Sequence, residues 1–225
     1  ITLRSVVAID DETLWRYYVS AAGLPTTWAK VEHSVGVGGW QEGPALLGKE
    51  TTPLAKPIRT ELPVGRDLVR PITTYYFERE FEVTQDIADS NVDLVMRHIV
   101  DDGAVFHLNG QEFHRFRMRS GNVNSTTRGR TVGNAKYSDM VTIPVELLKP
   151  GKNRISVEVH QSTPTSNDMV FGLEILELTT HSEFVVGEPY VASEEEWIEI
   201  YNRSDREIDL TDWQIDRAVD FTFPT

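Results

Sequence analysis

Hydrophobic and polar residues alternate along much of the chain, which is the pattern of a half-buried β-strand. In the segment TYYFEREFEV (74–83), apolar and aromatic residues fall on one face and three glutamates fall on the other. Comparable alternation predicts strands over residues 72–83, 92–100, 104–117, 153–161 and 168–178. We expect the following residues in these strands to be buried: Phe77, Phe81, Leu94, Met96, Ile155, Val157, Val159, Phe171 and Leu173.

Turn-forming residues separate these segments. Asp102-Gly103 and Asn109-Gly110 each lie between two apolar runs, and KPGKN (149–153) precedes another run. Asn-Gly supplies the two positive-φ residues of a type I′ hairpin, so the second pair predicts a tight β-hairpin. No long helical pattern is present, and many short strands with regular turns predict an all-β sandwich.

The composition is that of a folded globular protein. The chain has 225 residues, of which 40% are hydrophobic and 25% are charged. Its apolar runs are too short for a membrane span. It has no cysteine, which excludes disulfides, thiolate metal sites and cysteine nucleophiles.

The acidic charge is unevenly distributed. Residues 183–225 hold 12 acidic and 3 basic residues, whereas residues 1–182 hold 23 and 19. This shift predicts a domain boundary near Thr179–Glu183, with one domain over 1–180 and another over 183–225. The net charge of −13 disfavours nucleic acid as a partner, because an acidic surface repels phosphates.

Residues 14–178 resemble the galactose-binding-like jelly roll, an accessory module of large secreted bacterial proteins. The resemblance is carried by six segments in the family's order: LWRYY (14–18), WQEGPALLG (40–48), TYYFEREFEV (74–83), DDGAVFHLNGQE (101–112), PVELLKPGKNRISVEVHQ (144–161) and SNDMVFGLEI (166–175). It implies a jelly-roll β-sandwich that binds carbohydrate or docks a neighbouring domain.

A second resemblance begins near Glu183. EEWIEIYNRSDREIDLTDWQI (195–215) is similar to the first half of a lamin-tail domain, a small immunoglobulin-like sandwich. The similarity stops at FTFPT (221–225), where such a domain would still need several strands. We therefore expect a partial β unit, with Trp197, Ile198, Ile200, Leu210 and Trp213 sharing one apolar side. Adhesion or scaffolding is the function that this resemblance implies.

Together the two resemblances imply a non-catalytic accessory region of a larger extracellular or cell-surface bacterial protein. The absence of a starting Met at Ile1 fits a piece of a longer polypeptide, whose other domains would be its partners. The alternative is a non-catalytic part of a multidomain glycoside hydrolase or phosphoesterase, with the catalytic domain outside this chain. We expect no catalytic residues within 1–225, since no G-x-S-x-G, P-loop or HExxH motif is present.

Asp101 and Asp102 form a candidate calcium site, because hard cations prefer clustered carboxylates. Galactose-binding-like folds often carry a structural calcium, so the resemblance implies that cofactor. The competing interpretation is a turn, in which the two aspartates and Gly103 serve backbone geometry. No other cofactor is indicated.

Five arginines follow within a stretch that contains no acid, Phe113 to Ser138. They are Arg115, Arg117, Arg119, Arg128 and Arg130. If the strand continues, the first three share one face and could bind an anionic polysaccharide, because guanidinium groups pair well with carboxylate and sulfate. The alternative is pairing with glutamates of another strand: Glu78, Glu80 or Glu82.

Histidines and tryptophans give weaker signals. His98, His107, His114 and His160 lie in predicted strands without metal-ligand spacing. All five tryptophans suit core packing better than sugar stacking: Trp15, Trp28, Trp40, Trp197 and Trp213.

Overall fold

A computed structural model describes residues 2–65, 69–83, 92–179, 200–203, 206–211, 213–215 and 221–222. The chain divides into two compact units, Ile1–Ser182 and Glu183–Thr225. The described residues form β-strands, and their helical elements are short 3₁₀ turns such as Trp28–Lys30 and Val145–Leu147. No helix in this described part is long and apolar enough to cross a membrane.

Two six-stranded sheets build the first unit. The first sheet contains β1 (Thr2–Val7), β4 (Leu47–Lys49), β5 (Thr60–Glu61), β7 (Val92–Asp101), β10 (Val141–Thr142) and β12 (Met169–Thr179). The second contains β2 (Leu14–Val19), β3 (Gln41–Pro44), β6 (Thr74–Val83), β8 (Gly103–Leu108), β9 (Gln111–Phe116) and β11 (Gly151–His160). The spatial order of the first sheet is β10-β7-β12-β4-β5, and β1 also pairs with β12. The order of the second sheet is β3-β2-β6-β11-β8-β9. The predicted all-β sandwich is confirmed.

The core lies between the two sheets. Phe77 of β6 stacks on Phe171 of β12, with ring centroids 4.0 Å apart, and Trp15 meets Phe171 edge-on at 4.9 Å. All nine residues expected to be buried are buried. Alternation therefore identified the inward face of the long strands, because burial of that face drives sheet packing.

Within the predicted strand region 104–117, β8 and β9 form the hairpin that Asn109-Gly110 predicted. Asn109 and Gly110 have φ values of 51° and 86°, as the type I′ turn requires. The second strand ends at Phe116, because Arg117 has a φ of 51° and leaves the extended conformation. The expected face of three arginines is therefore not formed.

The glutamate face of β6 is covered at Glu78, partly open at Glu80 and exposed at Glu82. Trp28 and Trp40, from the segment before β3, pack on Tyr76 of β6. Glu78 is fully buried beneath this segment, and its carboxylate accepts hydrogen bonds from the main-chain N–H and the ring of His33, each at 3.0 Å. The Nε of Arg16 lies 2.9 Å from the same carboxylate.

In the second unit, β13 (Gln214–Ile215) pairs with β14 (Phe221–Thr222). Ile200 and Trp213 are exposed, so Trp213 does not take the core position that was expected of it. Trp197 and Ile198 lie outside the described residues. The lamin-tail resemblance of this unit stays a prediction.

Candidate functional site

Three carboxylates meet at one end of the first sheet. Asp101 ends β7, Asp168 immediately precedes β12, and Glu50 immediately follows β4. These strands are neighbours, with Asp101 opposite Val170 and Lys49 opposite Met169. One oxygen from each carboxylate lies within 4.8 Å of the others. We call Glu50, Asp101 and Asp168 the carboxylate cluster.

The carboxyl groups of the cluster disfavour one another's ionisation. Asp101 is only 3% exposed, and burial is the largest cause that raises its pKa to about 9. The neighbouring carboxyl groups of Asp102, Asp168 and Glu50 raise the pKa further in the same direction. A bound cation would remove this repulsion and favour the ionised form.

Asp102, unlike Asp101, binds main-chain N–H groups of two loops. Its Oδ1 accepts the main-chain N–H of Val132 at 3.0 Å, and its Oδ2 accepts that of Ser162 at 2.6 Å. Both oxygens therefore fix loops, as the turn interpretation expected. Of the two aspartates in the predicted calcium site, the structure brings Asp101 together with other acids and uses Asp102 as a loop anchor.

The donors of the cluster fit a hard cation. Glu50 and Asp168 each use one oxygen locally: Glu50 Oε1 accepts the N–H of Thr52 at 2.7 Å, and Asp168 Oδ1 accepts the hydroxyl of Ser166 at 2.5 Å. Beside them, Gln161 donates its Nε2 to the main-chain oxygen of Asp168 at 2.8 Å. Its Oε1 is buried without a hydrogen-bond partner. An all-oxygen donor set of this kind suits Ca²⁺.

A buried acid with a raised pKa beside other carboxylates is also a feature of glycosidase acid–base pairs. Asp101 is too enclosed for that role, since a glycosidic oxygen must reach the acid and only 3% of the residue is exposed. A bare ion is far smaller than a sugar ring. The geometry therefore favours cation binding over catalysis at this cluster.

The predicted arginines lie in and beside a loop that doubles back on itself. The N–H of Arg130 donates to the main-chain oxygen of Arg117 at 2.9 Å, and the guanidinium of Arg117 donates to the main-chain oxygen of Thr131. Residues 117–119 therefore lie beside residues 128–131. We call residues 117–131 the arginine loop.

The five arginines have different environments. Arg115, on β9, pairs with Glu112, its Nε 2.5 Å from the carboxylate. Arg117 is bound to main-chain oxygens. Three others are exposed and have no carboxylate within 4.0 Å in the described parts of the chain: Arg119, Arg128 and Arg130. The alternative, pairing of these arginines with the glutamates of β6, is not seen among the described residues. Glu78 and Glu80 contact Arg16 instead, and Glu80 also contacts Lys152.

A pocket of about 470 Å³ adjoins the carboxylate cluster. It is lined by Glu50, Thr52, Leu54, Ala55, Lys56, Pro57 and Ile58. We call it the loop pocket. Sequence reasoning missed both this pocket and the contributions of Glu50 and Asp168, because nothing in the pattern around these residues shows which strands become neighbours.

Three tryptophans and His98 of the first unit serve packing. Trp15, Trp28 and Trp40 are at most 3% exposed, so they offer no open platform for a sugar. His98 is buried between Phe106 and Phe116, with ring centroids 4.9 and 4.7 Å away. Burial lowers the pKa of His98 to about 3, so the ring is neutral.

No family model and no curated protein matches the chain. Among solved structures, it is similar to a β-glucuronidase from an uncultured Clostridium sp., with 16% identity, a TM-score of 0.48, and coverage of 79% of this chain and 29% of that one. A β-glucuronidase from Ruminococcus gnavus is 11% identical, with a TM-score of 0.46 and coverage of 79% of this chain and 29% of that one. Bacteroides uniformis β-glucuronidase 2, covalently bound to cyclophellitol-6-carboxylate aziridine, is 14% identical, with a TM-score of 0.42. The match covers 79% of this chain and 18% of that one. The chain thus spans less than a third of each of these proteins, and similarity at this level assigns it to no family.

Proposed function

We propose that the first unit is a non-catalytic, galactose-binding-like module that binds an anionic polysaccharide through the arginine loop. The observation that carries this proposal is the set of exposed guanidinium groups without carboxylate partners in the described part of the chain: Arg119, Arg128 and Arg130. They stand out in a chain of net charge −13, because acids are plentiful elsewhere.

The physical reason is unbalanced positive charge on a folded-back loop. The contact of Arg117 with Arg130 and Thr131 brings the two arms of the loop together, so their guanidinium groups repel one another. Carboxylate or sulfate groups of a polysaccharide would relieve this repulsion through forked hydrogen bonds. A neutral galactan offers no such charge.

For the larger protein, we favour the glycoside hydrolase setting over adhesion alone, with the catalytic domain outside this chain and an extracellular or cell-surface location. A binding module tethered to a catalytic domain raises the effective concentration of that domain on a polymer. In this setting the lamin-tail-like unit joins neighbouring domains. Sequencing the flanking gene tests this setting, because tandem adhesive modules without a catalytic domain would contradict it.

Affinity electrophoresis tests the arginine loop. Wild-type protein should be retarded by alginate, pectin and sulfated galactan but not by neutral galactan. The triple variant Arg119→Ala, Arg128→Ala, Arg130→Ala should lose this retardation. A charge-matched control replaces three exposed cations elsewhere, Lys30, Arg70 and Lys149, and should keep it. Equal retardation of the triple variant and the wild type would refute the proposal.

We also propose that the carboxylate cluster holds a structural Ca²⁺. Glu50, Asp101 and Asp168 would supply its protein oxygens, and the ion would tie together the ends of three neighbouring strands. Ca²⁺ at about 100 times its Kd would add about 2.7 kcal/mol to the free energy of unfolding. In thermal unfolding, Asp101→Asn should abolish the Ca²⁺ response, whereas the exposed control Asp139→Asn should retain it. A Ca²⁺ response that survives Asp101→Asn would contradict this assignment.

A further inference from the structure

The arginine loop is fastened to the second sheet at the ends of β6 and β11. Thr74, the first residue of β6, donates its hydroxyl to the main-chain oxygen of Ser125 at 2.9 Å. His160, the last residue of β11, has its Nδ1 2.8 Å from the main-chain oxygen of Thr127. Two side chains of the sheet therefore hold two carbonyl groups of the loop.

Beyond these carbonyls, the loop packs main chain against main chain. The N–H of Gly129 donates to the main-chain oxygen of Gln161 at 3.2 Å. A Cβ at Gly129 would lie 2.5 Å from the main-chain oxygen of His160, so glycine permits this close approach. Arg128 and Arg130 flank Gly129 in sequence, and the same contact therefore fixes the main chain that carries them.

The surrounding oxygens determine which nitrogen of His160 carries a hydrogen. Carbonyl oxygens only accept hydrogen bonds, so the hydroxyl of Thr74 donates to Ser125 and keeps a lone pair for His160. The Nδ1 of His160 lies 3.0 Å from that hydroxyl, and its hydrogen is shared between the hydroxyl and the carbonyl of Thr127. The Nε2 faces the carboxylate of Glu158 at 3.4 Å. One buried ring thus joins the ends of two strands to the loop.

We propose that His160 is the positioning residue of the polysaccharide site, because it holds the main chain from which Arg128 and Arg130 reach the ligand. This inference rests on the proposed function of the arginine loop. His160 is fully buried, so it touches no ligand and acts only through the carbonyl of Thr127. Guanidinium groups repel one another, so a loop without this anchor moves them apart. Its apparent affinity then falls in proportion to the fraction of molecules that keep the folded-back conformation.

Isothermal titration calorimetry with polygalacturonate at neutral pH tests this role. His160→Leu removes the donor, and if the loop is then folded back about a tenth of the time, the affinity falls about tenfold. His160→Asn should bind nearly as tightly as the wild type, because its amide nitrogen can replace Nδ1 as the donor to Thr127. Phe81→Leu leaves a core cavity at the other end of β6 from Thr74. It is the control for lost stability and should bind as the wild type does.

Amide hydrogen exchange separates positioning from a general loss of stability. The N–H groups of Gly129 and Arg130 are hydrogen-bonded to main-chain oxygens. They should exchange faster in His160→Leu and at the wild-type rate in His160→Asn, while the amides of β7 and β12 keep their protection. Exchange that rises equally in the loop and in these strands would mean that His160 only stabilises the fold, and the inference would be wrong.

The calorimetry distinguishes failure of this inference from failure of the proposed function. Wild-type affinity in His160→Leu, or an affinity of His160→Asn as weak as that of His160→Leu, overturns the positioning role. The proposed function still stands in that case if the variant Arg119→Ala, Arg128→Ala, Arg130→Ala no longer binds the polymer. Full affinity in this triple variant refutes the proposed function and the inference with it.

Discussion

The buried His98 should make the stability of the first unit depend on pH. Both ring nitrogens are buried without hydrogen-bond partners, and the residue is 1% exposed. Burial, with a smaller contribution from His114 at 6.4 Å, lowers the pKa of His98 to about 3. The unfolded chain instead takes up this proton near pH 6.5. Between these values the unfolded state binds more protons, so stability falls as the pH falls.

The size of the effect follows from the two pKa values. At pH 5 a group with pKa 6.5 when unfolded and about 3 when folded lowers the free energy of unfolding by about 2 kcal/mol relative to neutral pH. Replacing His98 by Leu removes this titration. It also removes two unsatisfied nitrogens, which should stabilise the protein by about 1–3 kcal/mol at neutral pH.

Urea unfolding followed by tryptophan fluorescence, at pH 7.5 and pH 5, measures both quantities. Other groups titrate over this interval, so the informative quantity is the difference between wild type and His98→Leu. That difference should grow by about 2 kcal/mol on acidification. A difference that is the same at both pH values would refute the view that His98 is neutral and unpartnered in the folded protein.

Two further substitutions test the packing around the sites. Glu78→Gln should cost about 1–3 kcal/mol in urea unfolding, since Arg16 would keep only its longer contact with Glu80 at 3.7 Å, and limited proteolysis should then cut within residues 20–40. Gly48→Ala should cost about 3 kcal/mol by the same assay, because the added Cβ would lie 1.9 Å from the main-chain oxygen of Met169 and Gly48 has a φ of 143°. Stability unchanged by either substitution would show that the local packing is misdescribed.

The long strands could be predicted from the sequence because each carries its own signal. Alternation in β6 and β11 marks the face that must be buried, and Asn109-Gly110 marks a turn whose backbone few other residues adopt easily. These features are local, so neighbouring residues suffice to define them.

The glutamate face of β6 shows where local reasoning fails. Its glutamates predicted a solvated surface, yet Glu78 is fully buried under a segment that includes His33, 45 residues earlier in the chain. The positive φ of Arg117 is similar, since arginine has no intrinsic preference for that conformation. Tertiary contacts decide both.

The carboxylate cluster illustrates the same limit for function. Asp101 was identified as a candidate because an acid lies next to it in sequence, but that neighbour, Asp102, holds loops. Asp102 also hydrogen-bonds Asp101, but the other acids of the cluster, Glu50 and Asp168, are brought to Asp101 only by the register of β4, β7 and β12. Strand order, which the sequence does not reveal, determines which acids meet.

An NMR titration of ¹⁵N-labelled protein with oligogalacturonate tests the central claim, that the arginine loop is the polysaccharide-binding surface, most directly. The account predicts that amide shifts are large in residues 117–119 and 128–131 and that the arginine triple variant loses them there. Shifts confined to the segment of Trp28 and Trp40, or no shifts at all, would contradict it.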